Sequence, residues 1–146
     1  MEKLIISTFL AILSSMSFGI IANVPKRALL GNAVTGGLSW ILYYLINELT
    51  RSIVISNMTA AIIIGVVGLL FAQKLKLPVS TIYVGSLISL VPGGMAFTSI
   101  TMIHDNNITV VLSYVFNTLL VAISLAVGLG VANQINKYLL KIIMSS

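Results

Sequence analysis

The sequence contains no cysteine, one histidine and only three acidic residues. The lack of cysteine excludes disulfides, thiolate metal sites and cysteine nucleophiles. With so few histidines and carboxylates, the chain has few residues that could act as the base of a catalytic nucleophile–base pair. An enzyme is therefore the least favoured class, and we expect no cofactor and no metal. Charged residues make up 8% of the chain, against about 25% in soluble domains. Because so few charges cannot cover the surface of a soluble globule, we expect a membrane protein.

Long uncharged segments dominate what remains. Hydrophobic residues make up 58% of the 146 residues, and the mean hydropathy is +1.11. Eleven charged residues separate five uncharged runs, which cover 4–25, 28–47, 52–73, 77–104 and 106–136. A helix needs roughly 20 residues to cross a bilayer core of about 30 Å, so each run is long enough to cross once. Because lipid cannot satisfy backbone hydrogen bonds, the runs should be helical.

The runs predict an all-α polytopic membrane protein with a single five-helix transmembrane domain. The predicted spans are about 4–23, 28–48, 53–73, 78–103 and 108–130, with a tail over 131–146. The tail is amphipathic at helical spacing, and we expect it to extend the last helix into the inner headgroups. The first run exceeds the roughly 7–15 residues of a signal-peptide core and lacks an A-x-A-like site before Pro25, so we interpret it as a retained span.

Basic residues fall mainly on one side of the predicted topology. The connections on the other side hold two basic and three acidic residues. Since basic residues accumulate in cytoplasmic loops, we predict an external N-terminus and an internal C-terminus in a bacterial cytoplasmic (inner) membrane. The net charge of +5 is then a topology signal, and we expect no nucleic-acid binding. The basic side carries Lys26, Arg27, Lys74, Lys76, Lys137 and Lys141.

Small residues recur at helical spacing in the first three predicted helices, where they would let neighbouring helices approach closely. Aromatic residues at 40, 43 and 44 lie toward the outer end of the second helix, which favours the membrane interface. The small residues are Ala11, Ser15 and Gly19 in the first helix, Gly31, Ala33, Thr35, Gly37 and Ser39 in the second, and Ala61, Gly65, Gly68 and Ala72 in the third.

The fourth run contains an interruption at Pro92-Gly93-Gly94. Pro92 lacks an N–H, and its ring clashes with the carbonyl of Ile88 in a helix. Each glycine costs about 1 kcal/mol of helix stability relative to alanine. An unwound segment near the midplane is tolerated only where protein or a water-filled cavity covers it, and such segments mark transporter sites. Two interpretations stay open: a helix N-terminus that binds a carboxylate, or a plain proline kink packed against a neighbour.

Three other polar features are weaker candidates. Asn57 and Asn117 lie inside predicted spans, where an amide either contacts substrate or, the favoured interpretation, bonds a neighbouring helix. His104-Asp105 is the only histidine–carboxylate pair, and a solvated outer turn is favoured over a proton-sensitive gate. No charged residue lies deep in a predicted span, although coupled transporters usually keep such residues inside. We therefore expect any ionisable coupling residues to lie in another chain.

Three motifs in order resemble the C-terminal five-helix half of the threonine/serine exporter family, over about 10–135. The resemblance implies a separate small subunit that pairs with a second multi-helix membrane subunit, which has five helices of its own and a soluble portion. It implies export of small amino acids such as threonine and serine, or of dicarboxylates in two-component relatives. The motifs are Phe18-x4-Asn23-Val24-Pro25-Lys26-Arg27, Lys74-x-Lys76-x-Pro78 and Leu90-Val91-Pro92-Gly93-Gly94.

The sequence thus predicts the small subunit of a two-component exporter whose substrate is small and bears a carboxylate. We expect Pro92, Gly93 and Gly94 to line the substrate path, with Asn23 and Asn117 as weaker candidates. Two alternatives remain: a non-transporting scaffold for a partner transporter, and a homo-oligomeric channel. The expected anchors of the cytoplasmic face, which would also attract an anionic substrate, are Lys26, Arg27, Lys74 and Lys76.

Overall fold

The computed structural model describes residues 2–102 and 108–144 and folds them into six α-helices, with no strand among these residues. The predicted all-α class is confirmed. Four of these helices, α1, α2, α3 and α6, are long and apolar enough to cross a membrane. The other two have nine residues each and cannot cross alone. The helices are α1 Glu2–Ile21, α2 Lys26–Thr50, α3 Ile53–Leu75, α4 Val79–Leu87, α5 Gly93–Thr101 and α6 Ile108–Met144.

The first three helices begin and end within two residues of the predicted spans. The predicted span over 78–103 instead contains both short helices, separated by 88–92. The last helix continues without interruption from 108 through most of the predicted tail. Its buried side there carries Ala132 and Asn136, whereas Val131, Ile135 and Lys137 are exposed.

Small residues form the contact between α1 and α2. The buried residues of α1 are Ala11, Ser15 and Gly19, which are three of the residues predicted to form its packing face. A Cβ atom added at Gly36 would collide with the Ser15 side chain, and one at Gly37 would lie 2.6 Å from Ile12 Cγ1. The two backbones therefore approach closely because these positions lack side chains.

The contact between α3 and α6 follows the same rule. A Cβ at Gly65 would collide with Ala132, and one at Gly128 would lie 2.5 Å from the carbonyl oxygen of Met58 and 2.7 Å from Ala61 Cβ. Residues of increasing number on α3 thus meet residues of increasing number on α6. The two helices therefore run parallel, so the chain between them has to return from one end of the bundle to the other.

One backbone carbonyl joins α3, α4 and α6. The oxygen of Gly65 accepts hydrogen bonds from the Tyr83 hydroxyl and from Asn136 Nδ2, each at 2.9 Å. Asn136 Nδ2 also lies 3.4 Å from the Tyr83 oxygen. Because few polar partners exist inside a membrane bundle, this three-way contact fixes the rotation of α4 and α6 against α3.

The chain leaves α1 and α3 by the same turn. Asn23 and Lys76 adopt left-handed backbone conformations, with φ of 55° and 52°. The N–H of the next residue, Val24 or Leu77, donates to the carbonyl five residues earlier at 2.9 Å in both turns. This pattern is a Schellman motif. A proline follows two residues after each left-handed residue and prevents the helix from continuing.

Both turns lie at the same end of the bundle, which we call the basic end. Val24 and Leu77 pack against one buried cluster of Ala28, Ala72 and Ile82. Lys137 of α6 lies at the same end, because it lines a cavity together with Val79, the first residue of α4. The exposed basic residues of the two turns are Lys26, Arg27, Lys74 and Lys76.

The packing of α6 predicts opposite effects for two glycines on this helix. Gly128→Ala should lower the free energy of unfolding by about 1–3 kcal/mol, because the new methyl group meets backbone that cannot move aside. Gly130→Ala is the matched control, since a Cβ there meets nothing within 4 Å and alanine favours the helix. Unfolding of the purified variants in mixed micelles compares them, and equal midpoints for both would contradict the packing.

Candidate functional site

The interruption between α4 and α5 contains hydrogen bonds of mixed spacing, to residues two, three and four positions earlier. The N–H groups of Leu90 and Val91 both donate to the carbonyl of Leu87, at 2.9 and 3.1 Å, and the Gly93 N–H donates to Val91 at 2.8 Å. Pro92 has no N–H to donate. The helix α5 therefore begins at Gly93.

A cavity of about 210 Å³ adjoins this interruption, and we call it the central cavity. It lies between α2, α3, α6 and the segment that joins α4 to α5. None of the residues that line it is charged. Its size suits a small molecule, since pockets for drug-sized ligands have volumes of roughly 300–1,000 Å³. The lining residues are Trp40, Tyr43, Asn57, Ser89, Leu90, Val91, Pro92, Gly94, Met95 and Val121.

Two backbone donors at the start of α5 have no partner among the described residues. The Ala96 N–H donates to the carbonyl of Pro92 at 3.0 Å, but no described group accepts from the N–H of Gly94 or Met95. Both residues line the central cavity. Unpaired N–H groups in the first turn of a helix, together with the helix dipole, favour an anion.

Asn57 contributes an acceptor to the same cavity. Its side chain is 3% exposed, and its Nδ2 donates to the carbonyl of Ile53 in its own helix at 2.8 Å. No described donor reaches its Oδ1 within hydrogen-bonding distance. The expectation that Asn57 bonds a neighbouring helix is therefore wrong: the amide returns to the preceding turn of α3, which leaves its oxygen available at the cavity.

Trp40 lies deeper than its predicted place at the interface. It precedes the last residue of α2 by ten residues, which is roughly 15 Å along the helix. Its ring packs against Tyr43 with the ring centroids 5.2 Å apart and the planes tilted by 33°. Both rings line the central cavity, so these aromatic residues belong to the site and not only to an interfacial belt.

The structure distributes the predicted path residues over three places. Pro92 and Gly94 line the central cavity, whereas Gly93 does not. Asn23 forms the left-handed turn after α1 and lines a separate cavity of about 240 Å³ near Ser80. Asn117 is exposed on the surface of α6. His104 and Asp105 lie outside the described residues.

Sequence reasoning missed Trp40, Tyr43 and Met95 as cavity residues. Aromatic and methionine side chains in an apolar run are indistinguishable from lipid-facing or packing residues when only the spacing is known. A detectable signal existed for Trp40. It follows Gly36, Gly37 and Ser39, so it continues a packed helix face and not a lipid-facing one.

The family described as "Threonine/Serine exporter, ThrE" matches residues 7–135 of the chain. The matched segment includes every residue that lines the central cavity. Comparisons with curated proteins and with solved structures give no match.

The cavity predicts that water reaches the start of α5. Because the chain has no cysteine, single cysteines can report this directly. Met95→Cys should react with a hydrophilic maleimide in membrane vesicles at least about tenfold faster than Ile123→Cys, because a thiol must ionise to react and hydrocarbon opposes ionisation. Ile123 is 59% exposed on the outer face of α6 and serves as the lipid-facing control. Equally slow reaction at both positions would argue that the cavity is dry.

Proposed function

Because this chain belongs to the threonine/serine exporter family, we propose that it is the small membrane subunit of a two-component exporter of small amino acids. The observation that carries this proposal is the uncharged central cavity at the interruption between α4 and α5. It combines unpaired donors and acceptors inside an otherwise apolar bundle. That combination is expected of a site that a polar solute occupies briefly.

We further propose that α4 and α5 together form a fifth, discontinuous crossing. The parallel arrangement of α3 and α6 supports it, since the chain has to return across the bundle between them. The segment from Val79 to Thr101 has 23 residues, including its turns. At about 1.5 Å per residue its helical parts alone are too short for a bilayer core of about 30 Å, and the extended turn adds length. In this proposal the central cavity adjoins one side of the unwound segment, and the partner subunit covers the exposed residues, such as Gly93.

The lining of the cavity favours an amino acid over a dicarboxylate. The free N–H groups of Gly94 and Met95 suit one carboxylate. Asn57 Oδ1 and the free carbonyl groups of the turn suit an ammonium group. A dicarboxylate would bring two negative charges to a cavity without a cationic side chain, and an uncompensated charge there is costly. Threonine and serine, which are neutral overall, fit this set of groups.

The basic end supplies the orientation in this proposal. Basic residues favour the cytoplasmic side, so the turns after α1 and α3 would face the cytoplasm of a bacterial inner membrane, with the N-terminus outside and the C-terminus inside. The exposed cations there would also raise the local concentration of a carboxylate-bearing substrate. The residues in these roles are Lys26, Arg27, Lys74 and Lys76.

A second multi-helix subunit completes the transporter in this proposal. All charged residues except Glu48, which ends the second predicted span, lie outside the predicted spans, so a coupling ion would be handled by the partner. Asn117 supports the same partner, because its exposed amide lies within the apolar segment of α6 that could cross the membrane. Lipid cannot satisfy such a group, whereas a polar group on another helix can.

Filling the central cavity should stop transport. Gly94→Leu should reduce export of threonine from cells or vesicles that contain both subunits by at least about 100-fold, because the side chain enters the space that the substrate needs. Gly93→Leu is the matched control, since Gly93 does not line the cavity and a Cβ at either glycine meets nothing within 4 Å. Both variants should insert and co-purify with the partner like the wild type.

The same assay separates the alternatives. Unchanged export by Gly94→Leu would argue against the site. Full transport by the partner alone would favour the scaffold, and ion conductance by this chain alone would favour the channel. Transport of a dicarboxylate but not of threonine would overturn the substrate assignment while leaving the exporter intact.

Single cysteines also test the orientation. Lys76→Cys should be protected from an impermeant maleimide added to intact cells, because the basic end is expected inside, and Arg51→Cys should react. Both side chains are exposed and both occupy left-handed turns at helix ends, so the pair is matched in geometry. The reverse pattern would invert the proposed topology.

A further inference from the structure

A second cavity lies on the other side of Trp40, and we call it the lateral cavity. Its volume is about 310 Å³, and it lies between α1, α2 and the end of α4. Trp40 and Ser89 line both cavities, so the two spaces meet at these side chains. The remaining residues of the lateral cavity are Ser7, Leu10, Ala11, Ser14 and Ile88.

The two residues at this junction are held differently. Ser89 Oγ donates to the carbonyl of Ser86 at 3.1 Å, so a hydrogen bond ties its side chain to α4. Trp40 Nε1 is buried and has no hydrogen-bond partner among the described residues. A tryptophan N–H normally finds an acceptor when it is buried. Only packing, against Tyr43 and the buried cluster that includes Leu90 and Val121, therefore holds the indole ring in place.

We propose that Trp40 is the gate between the central and lateral cavities, and that its ring moves aside when substrate passes. The empty volume on both sides gives the ring space for a rotamer change. The unpaired N–H gives the substrate a means to favour the open state, because a carboxylate offers an acceptor that the closed ring lacks. A ligand shifts such an equilibrium only through a difference in its binding to the two states. The inference rests on the proposed transport function.

The fluorescence of the chain tests the position of the gate without transport. Trp40 is the only tryptophan in the sequence, so emission from the chain reports this residue alone. In nanodiscs, acrylamide should quench Trp40 strongly and brominated lipid weakly. The matched control is the double variant Trp40→Phe with Phe97→Trp, because Phe97 is 68% exposed on the outside of α5. Its quenching pattern should be the reverse. Strong quenching of Trp40 by brominated lipid would overturn the proposal.

Flux through the two-subunit assembly tests the gating role. Trp40→Ala removes the ring that separates the two cavities. Downhill flux of threonine in vesicles without an energy source should therefore rise at least about tenfold, and larger amino acids such as phenylalanine should also pass. Trp40→Phe keeps most of the ring but lacks the N–H, so KM for threonine should rise severalfold. Leu38→Ala, an exposed position on the same helix, should change neither quantity.

The outcomes separate this inference from the proposed function. If the wild-type assembly moves neither threonine nor a dicarboxylate, the transport function fails, and the quenching experiment alone decides whether Trp40 borders the two cavities. If the wild type transports and Trp40→Ala shows neither extra flux nor broader selectivity, the gate is wrong. If Trp40→Ala fails to insert, an unchanged KM in Trp40→Phe overturns the role of the N–H.

Discussion

The backbone of a helix cannot be left unpaired in hydrocarbon, and the rest of this structure follows from that constraint. Proline and two glycines prevent one helix from forming between Leu87 and Gly93, so several backbone groups there lack helical partners. Such a segment is stable only when other helices shield it from lipid. In this chain Leu90 is buried and the segment borders the central cavity between α2, α3 and α6, whereas Val91, Gly93 and Gly94 are exposed. The same interruption that weakens α4 and α5 as helices therefore creates the polar interior of an apolar chain.

Shielding of this kind requires helices that approach closely elsewhere. Gly65 and Gly128 allow α3 and α6 to meet almost backbone to backbone, and Gly36 does the same for α1 and α2. Without a hydrophobic driving force between helices in lipid, such close contacts are the main source of attraction. At Gly93 and Gly94, by contrast, an added Cβ would meet nothing within 4 Å. Each glycine in the first group is needed for packing, whereas the second pair interrupts a helix and leaves room beside it.

Much of this arrangement could be predicted from the sequence, because lipid reduces the choice of structure to helices whose lengths follow from the charges. The small-residue faces were also predictable: Ala11, Ser15 and Gly19 are buried as expected. What could not be predicted was which polar residues share a space. Asn23 and Gly94 both lie in motifs that resemble the exporter family, but one forms the turn after α1 and the other lines the central cavity. Asn57 lies next to the cavity because α3 and α6 are parallel, and no local pattern encodes that pairing. That Trp40 lines two cavities likewise depends on where α4 ends against α2.

An uncharged site also has a consequence for how transport can proceed. Dipoles and amides bind a zwitterion weakly compared with paired charges, since ion–dipole contacts fall off faster with distance than charge pairs do. Weak binding is favourable for a permeating solute, which must enter a site and also leave it. A cationic side chain in the central cavity would hold a carboxylate longer and would itself be costly to bury. In the proposed function, the absence of charge among the residues that line the cavity fits a passage whose selectivity comes from size and hydrogen-bonding groups, and charged groups outside it would supply the energy for uphill movement.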